Sequence, residues 1–189
     1  MRISKVENLA AKIVLSFLVL WGAASFFVFP SLLIFEWGFL LISLISIYLI
    51  IKQQAEYFVL ITIIFSGVYF FYGLESAFGL SLWMILFGLI LFLGLAFWFL
   101  GRKLLKSKDN FHPILVFFLL SMLEIYLTLS YWLINPLTKS LIIGIFAYLF
   151  AGFSSSVSDE NIIDRRFMVY IYTAIFTLLI LIFTVSWGR

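Results

Sequence analysis

The stretch SMLEIYLTLSYWLIN, residues 121–135, sets a carboxylic acid inside an unbroken apolar run. No basic residue stands near Glu124 in sequence. Ser121, Glu124, Thr128, Tyr131 and Asn135 follow one another at spacings of three, four, three and four. On a helix that spacing is a single face, so the glutamate belongs to a polar stripe. A carboxylate at the centre of a bilayer costs at least about 2.5 kcal/mol on insertion scales. Two chemistries would justify it. A neutral acid hydrogen-bonded to Tyr, Thr or Ser hydroxyls would hold helices together. An acid that takes up and releases a proton would serve a transporter. The structural use is preferred, because relay partners are not visible. Either use expects the stripe to face the interior of a bundle, with Glu124 at mid-depth.

The composition explains why a bilayer is the reference. Of 189 residues, 65% are hydrophobic and 11% charged, and the mean hydropathy is +1.22. Soluble domains run nearer half apolar and a quarter charged, so this chain is expected to be an integral membrane protein. Without cysteine there is no disulfide, thiolate zinc site, iron–sulfur cluster or cysteine nucleophile. With one histidine, a His-rich metal or haem site is not expected, so cofactors and metals are expected to be absent. Phosphate-binding glycine loops and HExxH are missing, and no Ser–His–Asp set is expected. The last run has no lysine for a retinal, and no two glutamates are adjacent. An enzyme is therefore the least favoured class, and nothing suggests nucleic acid as a partner.

About 20 residues of helix cross the hydrocarbon. Seven runs fit: 9–29, 32–51, 57–74, 80–100, 114–134, 137–153 and 167–187. The fold class is thus expected to be an all-α transmembrane bundle, one integral domain over residues 1–189. Placing the N-terminus inside puts Arg2, Lys5, Lys12, Lys52, Arg102, Lys103, Lys106, Lys108, Arg165 and Arg166 in the cytoplasm. Only Lys139 and Arg189 fall outside, as the positive-inside rule prefers, so the C-terminus is expected outside. The first run also has signal-peptide marks, with GAAS at 22–25, but it continues apolar through Phe29.

Other runs carry small or hydroxylated seams that let helices approach closely. They are Glu36, Ser43 and Ser46; Thr62, Ser66, Tyr69, Gly73 and Ser76; Gly144, Ala147 and Ala151; and Tyr170, Thr173, Thr177 and Thr184. Glu36 and Glu75 fall near outer helix ends, where plain interfacial solvation is the favoured reading; pairing with Lys139 or Arg189, or lining an outer vestibule, are the alternatives. Arg102, Lys103, Lys106 and Lys108 form a basic cluster suited to anionic lipid headgroups. His112-Pro113 opens the fifth run, and Trp37, Trp83, Trp132 and Trp187 mark the outer interface, with Trp98 at the inner one.

From Glu124 onward, through SYWLINPLTKSLIIGIFAYLF at 130–150 and Arg165-Arg166, the last third resembles uncharacterised multi-span proteins of candidate-phylum bacteria. These are grouped as a domain of unknown function. The resemblance implies an inner-membrane location and no known activity. The expected function is a non-enzymatic scaffold or accessory subunit in a bacterial inner membrane. Its partners would be the bilayer and another membrane protein or a second copy. The rival is a proton-linked small transporter or channel using Glu124.

Overall fold

A computed structural model of the chain describes residues 5–29, 33–104, 111–132, 134–158, 168, 171–177 and 179. Six helices follow in order: α1 Lys5–Val28, α2 Leu33–Lys52, α3 Glu56–Phe78, α4 Leu82–Leu104, α5 Phe111–Ser130 and α6 Pro136–Ser158. All six are long and apolar enough to cross a membrane. Residues 171–177, within the expected seventh span, are also helical. No strand occurs among the described residues.

Short connections make the helices alternate in direction. The starts of α1, α3 and α5 lie at one end, here the near end. The starts of α2, α4 and α6 lie at the far end. Hydrogen bonds tie the near end: Lys12 Nζ donates to Ile51 O at 2.9 Å, and Gln53 Nε2 to Asn8 Oδ1 at 2.6 Å. The α2–α3 turn closes through Gln53 N to Ile50 O and Gln54 N to Leu49 O. That is the bonding pattern of a Schellman motif, with Gln53 at φ 56° in the place glycine usually takes. At the far end of α3, Gly79 supplies the left-handed cap at φ 58° and donates to Glu75 O.

α3 is the hub. It packs against α1, α2, α4 and α6, and 67% of its span is buried against 22% for α2 and for α5. The seam Thr62, Ser66, Tyr69 and Gly73 is why: all four are buried, and only Ser76 emerges. A Cβ on Gly22 of α1 would land on the Ser66 side chain, and one on Gly67 inside the Phe92 ring of α4. Small residues here set how near the backbones come, and dispersion across the contact is the gain. The seams of α2 (Ser43, Ser46) and α6 (Gly144, Ala147, Ala151) also turn inward.

Several boundaries differ from expectation. α3 runs past 74, through Glu75 to Phe78, and is capped at Gly79. α5 stops at Ser130, four residues short of 134. Asn135 then caps α6: its Oδ1 accepts from Thr138 N at 2.7 Å, with Pro136 at the first helical position. Asn135 therefore serves α6 and is not the end of the α5 stripe.

The close contact at Gly22 gives a direct check. Gly22→Val should destabilise the protein in detergent by about 1–3 kcal/mol, as overpacking does. Gly38, whose Cβ would meet nothing within 4 Å, should tolerate the same change within about 0.5 kcal/mol. Equal melting shifts for the two would contradict the packing.

Candidate functional site

The face of α5 that enters the bundle is Phe111, Phe118, Met122, Tyr126 and Leu129. Aromatic packing holds it there. Phe118 stacks on Phe97 of α4 with ring centroids 4.4 Å apart. Tyr126 stacks on Tyr72 of α3 at 4.2 Å and 14°. Each ring pair adds about 0.5–1.5 kcal/mol beyond its buried area.

Around Tyr126 the far end assembles a polar cluster from three helices. Tyr72 Oη donates to Tyr126 O at 3.0 Å, and Tyr126 Oη to Glu75 Oε2 at 3.3 Å. Ser130 Oγ also donates to Tyr126 O, at 2.9 Å. Lys139 of α6 is buried. It donates to Ser130 O at 3.3 Å and lies 5.0 Å from the Tyr72 ring centroid. Glu75 is the carboxylate acting on Lys139. A cation in the first turn of α6 opposes that helix's dipole, but it reaches a carbonyl at the C-terminal end of α5, which favours it. A second carboxylate, Glu36, acts on Tyr69 at the same end. Tyr69, Phe26 and Phe39 form a continuous stack there, with centroids 4.3 and 4.4 Å from Phe26. Sequence alone left Glu75 to interfacial solvation, to pairing with Lys139 or Arg189, or to an outer vestibule. It missed Tyr72 and Tyr126 and the burial of Lys139. The signal was Tyr126 sitting two residues after Glu124, on the opposite face.

The stripe expected to face inward does not. Glu124 and Thr128 are exposed and Tyr131 is 79% exposed, while Ser121 is half-buried. Thr128 Oγ1 donates to Glu124 O at 2.8 Å, within its own helix. Among the described residues the Glu124 carboxyl has no hydrogen-bond or ionic partner. The aromatic face outcompetes the hydroxyl face for the interior, since it carries more contact area and Tyr126 brings a hydroxyl with it. Exposed Pro113, Val116, Phe117 and Leu120 continue the Glu124 face toward the near end.

A groove of about 330 Å³ lies between α3, α6 and residues 173–177, lined by Phe65, Gly144, Tyr148 and Thr177 among others. A cavity of about 10 Å³ sits at the near end beside Lys12, Gln53 and Glu56. Glu124 lines neither, and neither do Glu36 and Glu75. At the near end Arg102 is exposed and rests 3.8 Å from the Trp98 ring centroid. The Lys103 side chain, Lys106, Lys108, Arg165, Arg166, Trp187 and Arg189 lie outside the described residues. Trp37, Trp83 and Trp132 are exposed at the far end. No group of three metal-ligating residues occurs among the described residues.

No family model, curated protein or solved structure matches the chain. What is shown is the architecture: an all-helical bundle with six helices of membrane-crossing length and apolarity.

The two faces of α5 predict opposite mutational outcomes. Tyr126→Leu removes a ring stack and a hydroxyl bond and should cost about 1–2 kcal/mol in a detergent unfolding titration. Glu124→Leu, which removes no hydrogen bond or ion pair of the carboxyl among the described residues, should stay within about 0.5 kcal/mol. A larger loss for Glu124→Leu than for Tyr126→Leu would mean that α5 is turned the other way.

Proposed function

We propose that this chain is a multi-pass protein of a bacterial cytoplasmic membrane, acting as a non-enzymatic accessory subunit or scaffold. Its docking surface is the exposed face of α5. The observation that carries the reading is the Glu124 carboxyl, exposed and without a partner among the described residues. Glu124 lies six residues before Ser130, about 9 Å from the end of α5 at 1.5 Å per residue. A helical side chain leans toward the helix N-terminus, so Glu124 leans deeper and cannot easily reach the far surface. Facing acyl chains it would carry an insertion cost that approaches about 2.5 kcal/mol toward the bilayer centre. A protein neighbour removes that cost.

The orientation follows the charges. Lys12, Lys52 and Arg102 sit at the near end, and Lys139 is the far-end cation among the described residues. The positive-inside rule then places the near end in the cytoplasm, where Arg102 and the lysines after it would meet anionic headgroups. A proton-carrying role for Glu124 would need a water-filled path to it. Its place on the outer face, apart from both cavities, favours docking instead.

Photo-crosslinkers at Leu120 and Thr128, which flank Glu124, test the reading in native membranes. They should give discrete protein adducts. The same probes at Leu41 and Leu44 on the exposed face of α2, 60% and 59% exposed, should give lipid adducts alone. Lipid adducts at all four positions would contradict it.

A further inference from the structure

The occupant of the α5 face can be specified from the hydrogen-bonding inventory around Glu124. No hydroxyl on the face is bonded to the carboxyl: Ser121, one turn back, is half-buried, and Tyr131 lies past the end of α5. The Thr128 proton is committed to Glu124 O at 2.8 Å. Toward the near end the exposed neighbours are Leu120, Phe117 and Val116, which have no donors at all. Among the described residues nothing on the face balances the carboxylate's charge, so a balancing group would come from the partner. A second copy of this chain brings the same face: another carboxyl, the same Ser121, Thr128 and Tyr131 hydroxyls and the same apolar turns. Among the described residues it brings no cation at this depth either. Lys12, Lys52 and Arg102 lie toward the near end, and Lys139 is buried against Ser130 O and the Tyr72 ring. Two like faces would set carboxyl against carboxyl.

Charge complementarity selects a different partner. Lysine and arginine are donor-only groups, with three and five N–H bonds respectively, and their charge balances a carboxylate. Intramembrane acids pair with such residues where both are buried at an interface. We infer that the exposed face of α5 docks a membrane-spanning helix of another protein. That helix carries a single lysine or arginine at the depth of Glu124, about 9 Å inside the far end, and an apolar surface over the two turns facing Leu120 and Val116. This rests on the reading of the α5 face as a protein interface.

The test uses the full chain in proteoliposomes and synthetic membrane-spanning helices as probes. One probe is an oligo-leucine helix with one lysine about 9 Å from its outer end. A second has leucine at that position. Association is read by energy transfer between labelled helix and labelled protein. The lysine helix should bind the parent about tenfold more tightly than the leucine helix, the scale of one good bond within a membrane. Glu124→Gln should reduce that preference to nearly nothing. Circular dichroism should show the variant folded, because the carboxyl has no hydrogen-bond or ionic partner among the described residues.

Three results would overturn the inference. One is equal binding of the lysine and leucine helices by the parent. Another is a lysine preference that survives Glu124→Gln, which would locate it at Glu36, Glu75 or the headgroups. The last is self-association of the parent that disappears in Glu124→Gln, which would make a second copy the occupant. If Leu120 and Thr128 probes still give protein adducts in native membranes while the lysine preference is absent, the interface stands and only the basic partner is excluded.

Discussion

Hydrocarbon supplies no hydrogen bonds, and the organisation of this bundle follows from that constraint. A helix satisfies its own backbone, but each polar side chain must find a partner in the chain, at a boundary or in another protein. Most do so locally. Thr62, Ser66, Ser46, Ser130 and Ser140 each return a proton to a carbonyl four residues back. Those bonds let hydroxyl seams lie against neighbouring helices at no cost in unpaired donors, and they make α3 the element on which the others close. At the far end the charged groups are handled together, with Glu75, Tyr126, Tyr72, Ser130 and Lys139 joined across three helices. Ser43 Oγ is a buried exception, without a partner among the described residues. Glu124 is the exposed one.

That pattern separates two acids of one sequence by environment. Glu75 accepts from the Tyr126 phenol, so it is spent on holding α3 to α5 at one end. Glu124 spends nothing within the chain. In the proposed accessory role such a residue would be neutral to its own fold and become favourable only when a neighbour arrives. On that proposal, recognition would be uncoupled from stability, because the proposed docking face is not the face that packs inward.

Much of this was legible from residue types. The helix count up to α6 and the inward seams of α2, α3 and α6 follow from apolar run length and small-residue spacing. So does the break between the runs ending at 134 and starting at 137. The orientation of α5 did not follow. Ser121, Glu124, Thr128 and Tyr131 form one helical face, and Phe118, Met122, Tyr126 and Leu129 form another. Periodicity supports both equally. In water, polarity would choose between them, but lipid is as apolar as a core, so burial has no hydrophobic preference there. The choice was made by ring stacking on Phe97 and Tyr72 and by the Glu75 carboxylate, all contributed by other helices. Such contacts are not visible in one segment's sequence. Lys139 was misjudged for a related reason: its charge marks a boundary, but its burial depends on the end of α5.

The rotation of α5 can be measured without reference to any partner. The chain has no cysteine, so single cysteines from 118 to 128 can be spin-labelled in purified protein reconstituted into lipid, and their collision with dissolved oxygen recorded. The account predicts accessibility maxima at 120, 124 and 128 and minima at 118, 122 and 126, with the 3.6-residue period of a helix. The reverse phase, with 124 and 128 protected and 122 and 126 open to lipid, would contradict it.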